Sequence, residues 1–64
     1  MQQYEIHVVQ DDRQRRTYPC LQASDHAAIR RGQAIAKGSE GLEVWRAETC
    51  VYARPAPQAP YGYV

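Results

Sequence analysis

The stretch Ser24-Asp25-His26-Ala27-Ala28-Ile29-Arg30-Arg31-Gly32-Gln33-Ala34-Ile35-Ala36-Lys37-Gly38 carries a helical period. At about 100° per residue, Ala28, Ile29, Gly32, Ile35 and Ala36 fall on one arc, and His26, Arg30, Gln33 and Lys37 fall opposite. Ser24 is a good N-cap, and Asp25 follows in the first turn, where the helix dipole favours an anion. Lys37 sits in the last turn and Gly38 at the position that commonly turns left-handed. The spacing therefore predicts a helix over 25–37, with Ile29 and Ile35 buried and Arg30 and Lys37 in solvent. Its apolar stripe is made of small residues. Gly32 costs up to about 1 kcal/mol relative to Ala in mid-helix, a cost that makes sense if the helix lies very close to a sheet.

Outward from the helix, the chain alternates at period 2. Tyr4, Ile6 and Val8 interleave with Glu5, His7 and Val9, which reads as a strand with one apolar face. Gln10-Asp11-Asp12-Arg13-Gln14 is a polar hairpin loop, and Arg15 to Leu21 is a second strand. Pro19 lacks an amide donor and places that strand at an edge. Beyond the helix, Leu42, Val44 and Trp45 mark a third strand and Thr49 to Ala53 a fourth, joined by a tight turn at Arg46-Ala47-Glu48. From Arg54 the composition changes. Pro55, Pro57 and Pro60 cannot join a ladder, so residues 55–64 read as an irregular or disordered tail. The expectation is an α+β fold of one domain, 1–54, with element order β-β-α-β-β. Its four-stranded, mainly antiparallel sheet has strand order 2-1-3-4 and one helix on one face.

With 64 residues there is room for one domain, and 8 basic against 7 acidic residues leave a net charge of +1. That balance argues against nucleic acid or an anionic membrane as the partner. No apolar run is long enough for a transmembrane helix, and the N-terminus has no signal-peptide pattern, so a cytoplasmic protein is expected. Seven Arg to one Lys, with nine Ala, suggests a bacterial source. Only twelve positions carry Val, Ile, Leu, Met or Trp. A monomer with so small a core is marginal.

Tyr4-Glu5-Ile6-His7-Val8, Ser24-Asp25-His26-Ala27-Ala28-Ile29 and Leu42-Glu43-Val44-Trp45 together resemble a group of short, uncharacterised bacterial β-β-α-β-β proteins. The resemblance covers roughly residues 4–53 and implies the fold; no activity is assigned to such proteins. The strand-strand-helix opening also resembles that of HicB-type antitoxins. Pro19-Cys20-Leu21 stands where those proteins have Pro-Asp-Leu, so the Asp is missing.

Candidate chemistry is sparse. His7, His26, Cys20 and Cys50 lack the short paired spacing of a structural metal site. A Cys-His pair for nucleophilic catalysis is neither favoured nor excluded by spacing. No catalytic residue, metal ligand or cofactor is assigned. Arg13, Arg15, Arg16, Arg30 and Arg31, with Tyr4, Tyr18, Tyr52 and Trp45 on strands, have the general make-up of an RNA-stacking platform, but the specific RNA-binding signature is absent. The tail is a possible ligand for another protein's aromatic groove. The sharpest feature lies on the sheet face away from the helix, which would carry His7, Val9, Glu43 and Trp45, with Glu5 and Glu43 at its rim and Val51 or Tyr52 added by the fourth strand. The leading expectation is a non-catalytic interaction module that forms a homodimer through this face, the alternative an accessory RNA- or DNA-binding protein.

Overall fold

The computed structural model describes residues 1–10, 14–36, 38 and 40–55. Strands β1 (Gln2–Val9) and β2 (Arg15–Gln22) precede helix α1 (Asp25–Ile35), and β3 (Gly41–Arg46) and β4 (Thr49–Arg54) follow. They form one sheet in the order β2-β1-β3-β4, with every neighbouring pair antiparallel. The fold is α+β, as the pattern implied. Pro19 sits on β2, an edge strand, where a missing amide does least harm. Pro55 follows β4 outside any strand. Asp11, Asp12, Arg13, Lys37 and residues 56–64 lie outside the described residues, and with them the expected solvent position of Lys37 and the irregular tail.

Registers place Tyr4, Ile6 and Val8 of β1 beside Cys20, Tyr18 and Arg16 of β2, and beside Arg46, Val44 and Leu42 of β3. These side chains share one face, and α1 packs on it. Tyr4, Ile6, Val8, Ala28, Ala36, Leu42 and Val44 are the buried core. Ile29 and Ile35 pack against that core but are only partly buried, because the innermost arc of the helix belongs to Ala28 and Gly32. A Cβ on Gly32 would lie 3.0 Å from Leu42 Cδ1 and 3.2 Å from Val44 Cγ2. The glycine is there because the helix backbone rests on the sheet.

The helix starts as expected: Ser24 Oγ accepts from the Ala27 amide at 3.1 Å. It ends sooner. Ile35 is its last residue, and Ala36 caps it in an extended conformation, its amide donating to the Gly32 carbonyl. Gly38 does not take a left-handed φ, so the expected glycine cap is replaced by an early exit. The physical reason is Ala36 itself, which is buried in the core. The chain leaves the helix two residues early, toward the sheet.

The fourth strand also departs from expectation. β4 pairs with β3 through Val44↔Tyr52 and then Trp45↔Cys50, which leaves Val51 as an extra residue in a bulge. Parity changes at that point. Both Val51 and Tyr52 pack against the core cluster, so neither belongs to the opposite face. The β3–β4 turn is tight, with Ala47 at φ 54°.

Candidate functional site

The face opposite α1 follows directly from the registers. β1 contributes Gln3, Glu5, His7 and Val9, and β2 contributes Leu21, Pro19, Thr17 and Arg15. β3 contributes Gly41, Glu43 and Trp45, and β4 contributes Ala53 and Cys50. No helix covers it among the described residues. The four expected residues His7, Val9, Glu43 and Trp45 do share this face, and all four are half-buried. Leu21 is 56% exposed at one corner.

Its centre is a connected polar and aromatic network. Trp45 Nε1 donates to Glu43 Oε1 at 3.0 Å. Arg15 reaches the same carboxylate oxygen at 3.4 Å and His7 Nδ1 at 3.0 Å. A guanidinium can only donate, so His7 Nδ1 is the acceptor, and Nε2 carries the proton toward Glu5 Oε1 at 3.3 Å. The His7 and Trp45 rings lie 6.4 Å apart and tilted by 57°. The Trp45 indole, and after it the Arg15 charge, hold the Glu43 carboxyl below the usual carboxylate range. Glu5 and Glu43 stand on β1 and β3, the two central strands rather than the edge strands, each with a hydrogen-bond donor from the same face.

Two hollows flank this network. One, of about 280 Å³, is lined by Val9, Arg15, Gly41, Glu43, Ala53 and Pro55 among others. The other lies by Gln3, Glu5 and Ala47 at the opposite end of the strands.

The remaining candidates are scattered. Arg15 lies on the open face, whereas Arg16 lies on the helix side, where it reaches Glu40 at 3.1 Å and stacks 5.8 Å over the Tyr18 ring. Arg30 and Arg31 point outward from α1, and Arg13 lies outside the described residues. Tyr4, Tyr18 and Tyr52 pack with the core under the helix, which leaves Trp45 as the indole or phenol ring of the open face among the described residues. Of the described candidate arginines, Arg15 alone joins Trp45 on the open face, and Arg16, Arg30 and Arg31 lie elsewhere. Cys20 faces the helix, Cys50 and His7 face the other way on non-adjacent strands, and His26 is exposed on α1. Both thiols are free. Among the described residues no three His, Cys, Asp or Glu side chains gather as a metal site, and no helix is long and apolar enough to cross a membrane.

Two polar clusters escaped the sequence reading. Asp25 accepts from Tyr4 Oη at 2.6 Å and from Arg46 at 2.5 Å on each oxygen. The Arg46 hydrogen bonds, then that of Tyr4, lower the Asp25 pKa, while the Asp25 hydrogen bond and burial raise that of Tyr4. Glu40, only 6% exposed, accepts from Gln10 at 3.0 Å as well as from Arg16. Arg54 donates to its carbonyl at 3.0 Å. Both clusters fasten the helix and its exit loop to the sheet, and Arg54 of the Glu40 cluster also lines the hollow of about 280 Å³. Comparison with protein-family models, curated proteins and solved structures finds no significant match.

Proposed function

We propose that this chain is a small non-catalytic interaction module that pairs with a second copy of itself through the open sheet face. The observation that carries the reading is an uncovered four-stranded face with a half-buried Trp at its centre. On that face each carboxylate already has a partner, so a second copy could cover it without orphaning a charge. A two-fold interface needs no other gene product. Four strands about 4.8 Å apart and six residues rising about 3.3 Å each give a flat area of about 400 Å² per copy, before side-chain relief. Specific interfaces bury roughly 600–1,000 Å² per partner. The reading is therefore of a modest dimer, with a micromolar rather than nanomolar dissociation constant. A cytoplasmic location suits its two unpaired thiols.

Sedimentation velocity tests it. Between about 1 and 200 µM, a range that brackets a micromolar dissociation constant, the chain should pass from monomer to dimer. Trp45→Ala should stay folded by circular dichroism and stay monomeric. A wild-type chain that is monomeric throughout defeats the reading. The resemblance to short bacterial β-β-α-β-β proteins is compatible with such a role and supplies no other.

A further inference from the structure

On the open face, β3 presents Gly41, Glu43 and Trp45 in succession. These are residues i, i+2 and i+4 of one strand, each step about 6.7 Å. The first has no side chain and lines the hollow of about 280 Å³ together with Val9, Arg15, Glu43, Ala53 and Pro55. The last is the largest side chain in the protein. Glu43 lies midway between a hole and a knob. A two-fold axis running across the strands at the level of Glu43 and His7, in the plane between two facing sheets, inverts the direction of β3. It lays Trp45 of each copy over Gly41 of the other and brings the two Glu43 carboxylates together at the axis, each already held by its own Trp45 indole and Arg15.

We infer that Trp45 of a second copy is the occupant of this hollow. The inference rests on the homodimer reading above and specifies its geometry. The size fits: a protein cavity of about 150 Å³ already admits a benzene ring, so 280 Å³ has room for an indole. The chemistry fits as well. Val9, Ala53 and Pro55 offer apolar walls, Glu43 and Arg54 add charged groups to the lining, and the Arg15 guanidinium favours an aromatic face. An isologous contact requires the same patch to carry both members of each pairing, and β3 carries knob and hole equally spaced about one point. Two such insertions concentrate the burial in two aromatic anchors, which is how small interfaces reach specificity.

The chain contains one Trp, so intrinsic fluorescence reads Trp45 directly. The emission maximum should shift to shorter wavelength as concentration drives association, in step with the sedimentation curve. Ala53→Phe fills the hollow from an exposed edge-strand position and leaves Trp45 untouched. It should weaken association at least tenfold without loss of secondary structure. Truncation after Pro55 should leave both the shift and the dimer in place. A dimer whose emission does not move, or one indifferent to Ala53→Phe, overturns the Trp45 seat while the homodimer reading stands. Loss of association on truncation also overturns it, because residues 56–64 would then be what completes the contact. A monomer at every concentration overturns the homodimer reading and this inference with it.

Discussion

Replacing Gly32 by Ala sets two opposing effects against each other. Ala is favoured over Gly in a helix interior by about 1 kcal/mol. Against this, the added Cβ would lie 3.0 Å from Leu42 Cδ1, 3.2 Å from Val44 Cγ2 and 3.4 Å from Ile6 Cγ2. Comfortable carbon–carbon contacts lie at about 3.5–4.0 Å. The three neighbours are all 0% exposed, and packed residues cannot move aside without displacing others. Relief requires α1 to rise by about 0.5 Å, and a gap of that size forfeits about a quarter of the dispersion well at the helix's other contacts. Overpacking of this kind costs about 1–3 kcal/mol, so Gly32→Ala should destabilise by about 1 kcal/mol net. In a domain this small that lowers the melting temperature by about 4–8 °C. Gly38→Ala is the matched control: no atom lies within 4 Å of its added Cβ and its φ is ordinary. It should be neutral or stabilise by up to about 1 kcal/mol through the unfolded chain. Urea denaturation at one fixed protomer concentration separates them, since dimerisation makes apparent stability depend on concentration. A Gly32→Ala chain more stable than wild type would refute the close approach of helix and sheet.

Further outcomes follow from the polar clusters and the thiols. Asp25 and Glu43 both have pKa values lowered in the folded state, so their contribution to stability is present above the unfolded carboxylate range, near pH 4, and is lost as pH falls through their folded values. The urea midpoint should be flat from about pH 5 to 7 and fall in acid; Arg46→Gln, which removes the largest cause of the Asp25 shift, should make that fall shallower. Tyr4→Phe deletes the 2.6 Å bond to Asp25 and should lower the melting temperature by a few degrees without changing the far-ultraviolet circular dichroism. Cys50 is exposed and Cys20 is partly buried on the opposite face and the opposite edge strand. Alkylation should therefore modify Cys50 first, and mild oxidation should give disulfide only between chains. An intrachain Cys20–Cys50 bridge would contradict the strand order.

What could be read from the sequence was what depends on local period. The alternation of Tyr4, Ile6 and Val8 fixes which face of β1 is buried, and the helical arc with Ser24 before it fixes where α1 begins and which side rests on the sheet. With two hairpins and one crossover, the order β2-β1-β3-β4 follows, and the company of His7, Val9, Glu43 and Trp45 on one face follows from the order. The failures share a physical cause: each depended on a partner distant in sequence. Asp25 reads locally as an anion at a helix start, yet its hydrogen bonds come from Tyr4 and Arg46, each 21 residues away. Glu40, between Ser39 and Gly41 in the chain, carries no local sign of a partner, yet Gln10 and Arg16 of the first hairpin close over it. The bulge at Val51 reverses the parity of β4 in mid-strand, and nothing in Cys50-Val51-Tyr52 marks it; it follows from both Val51 and Tyr52 finding room against the core. Gly41 carries no local signal, and its place appears only when it pairs with Val9 and lines a hollow with Ala53 and Pro55. Assigning Glu5 and Glu43 to the rim followed residue type, since charges usually ring an interface. Both lie on inner strands, and a carboxylate can stay there because a ring nitrogen donates to each: His7 to Glu5, Trp45 to Glu43. The indole that anchors the proposed interface also donates to its central carboxylate, so Trp45→Phe should separate the two roles. It keeps an aromatic anchor but leaves Glu43 with one donor fewer, and it should raise the Glu43 pKa and weaken association less than Trp45→Ala does. Equal loss from both substitutions would mean that the indole N–H, rather than the ring's bulk, governs the face.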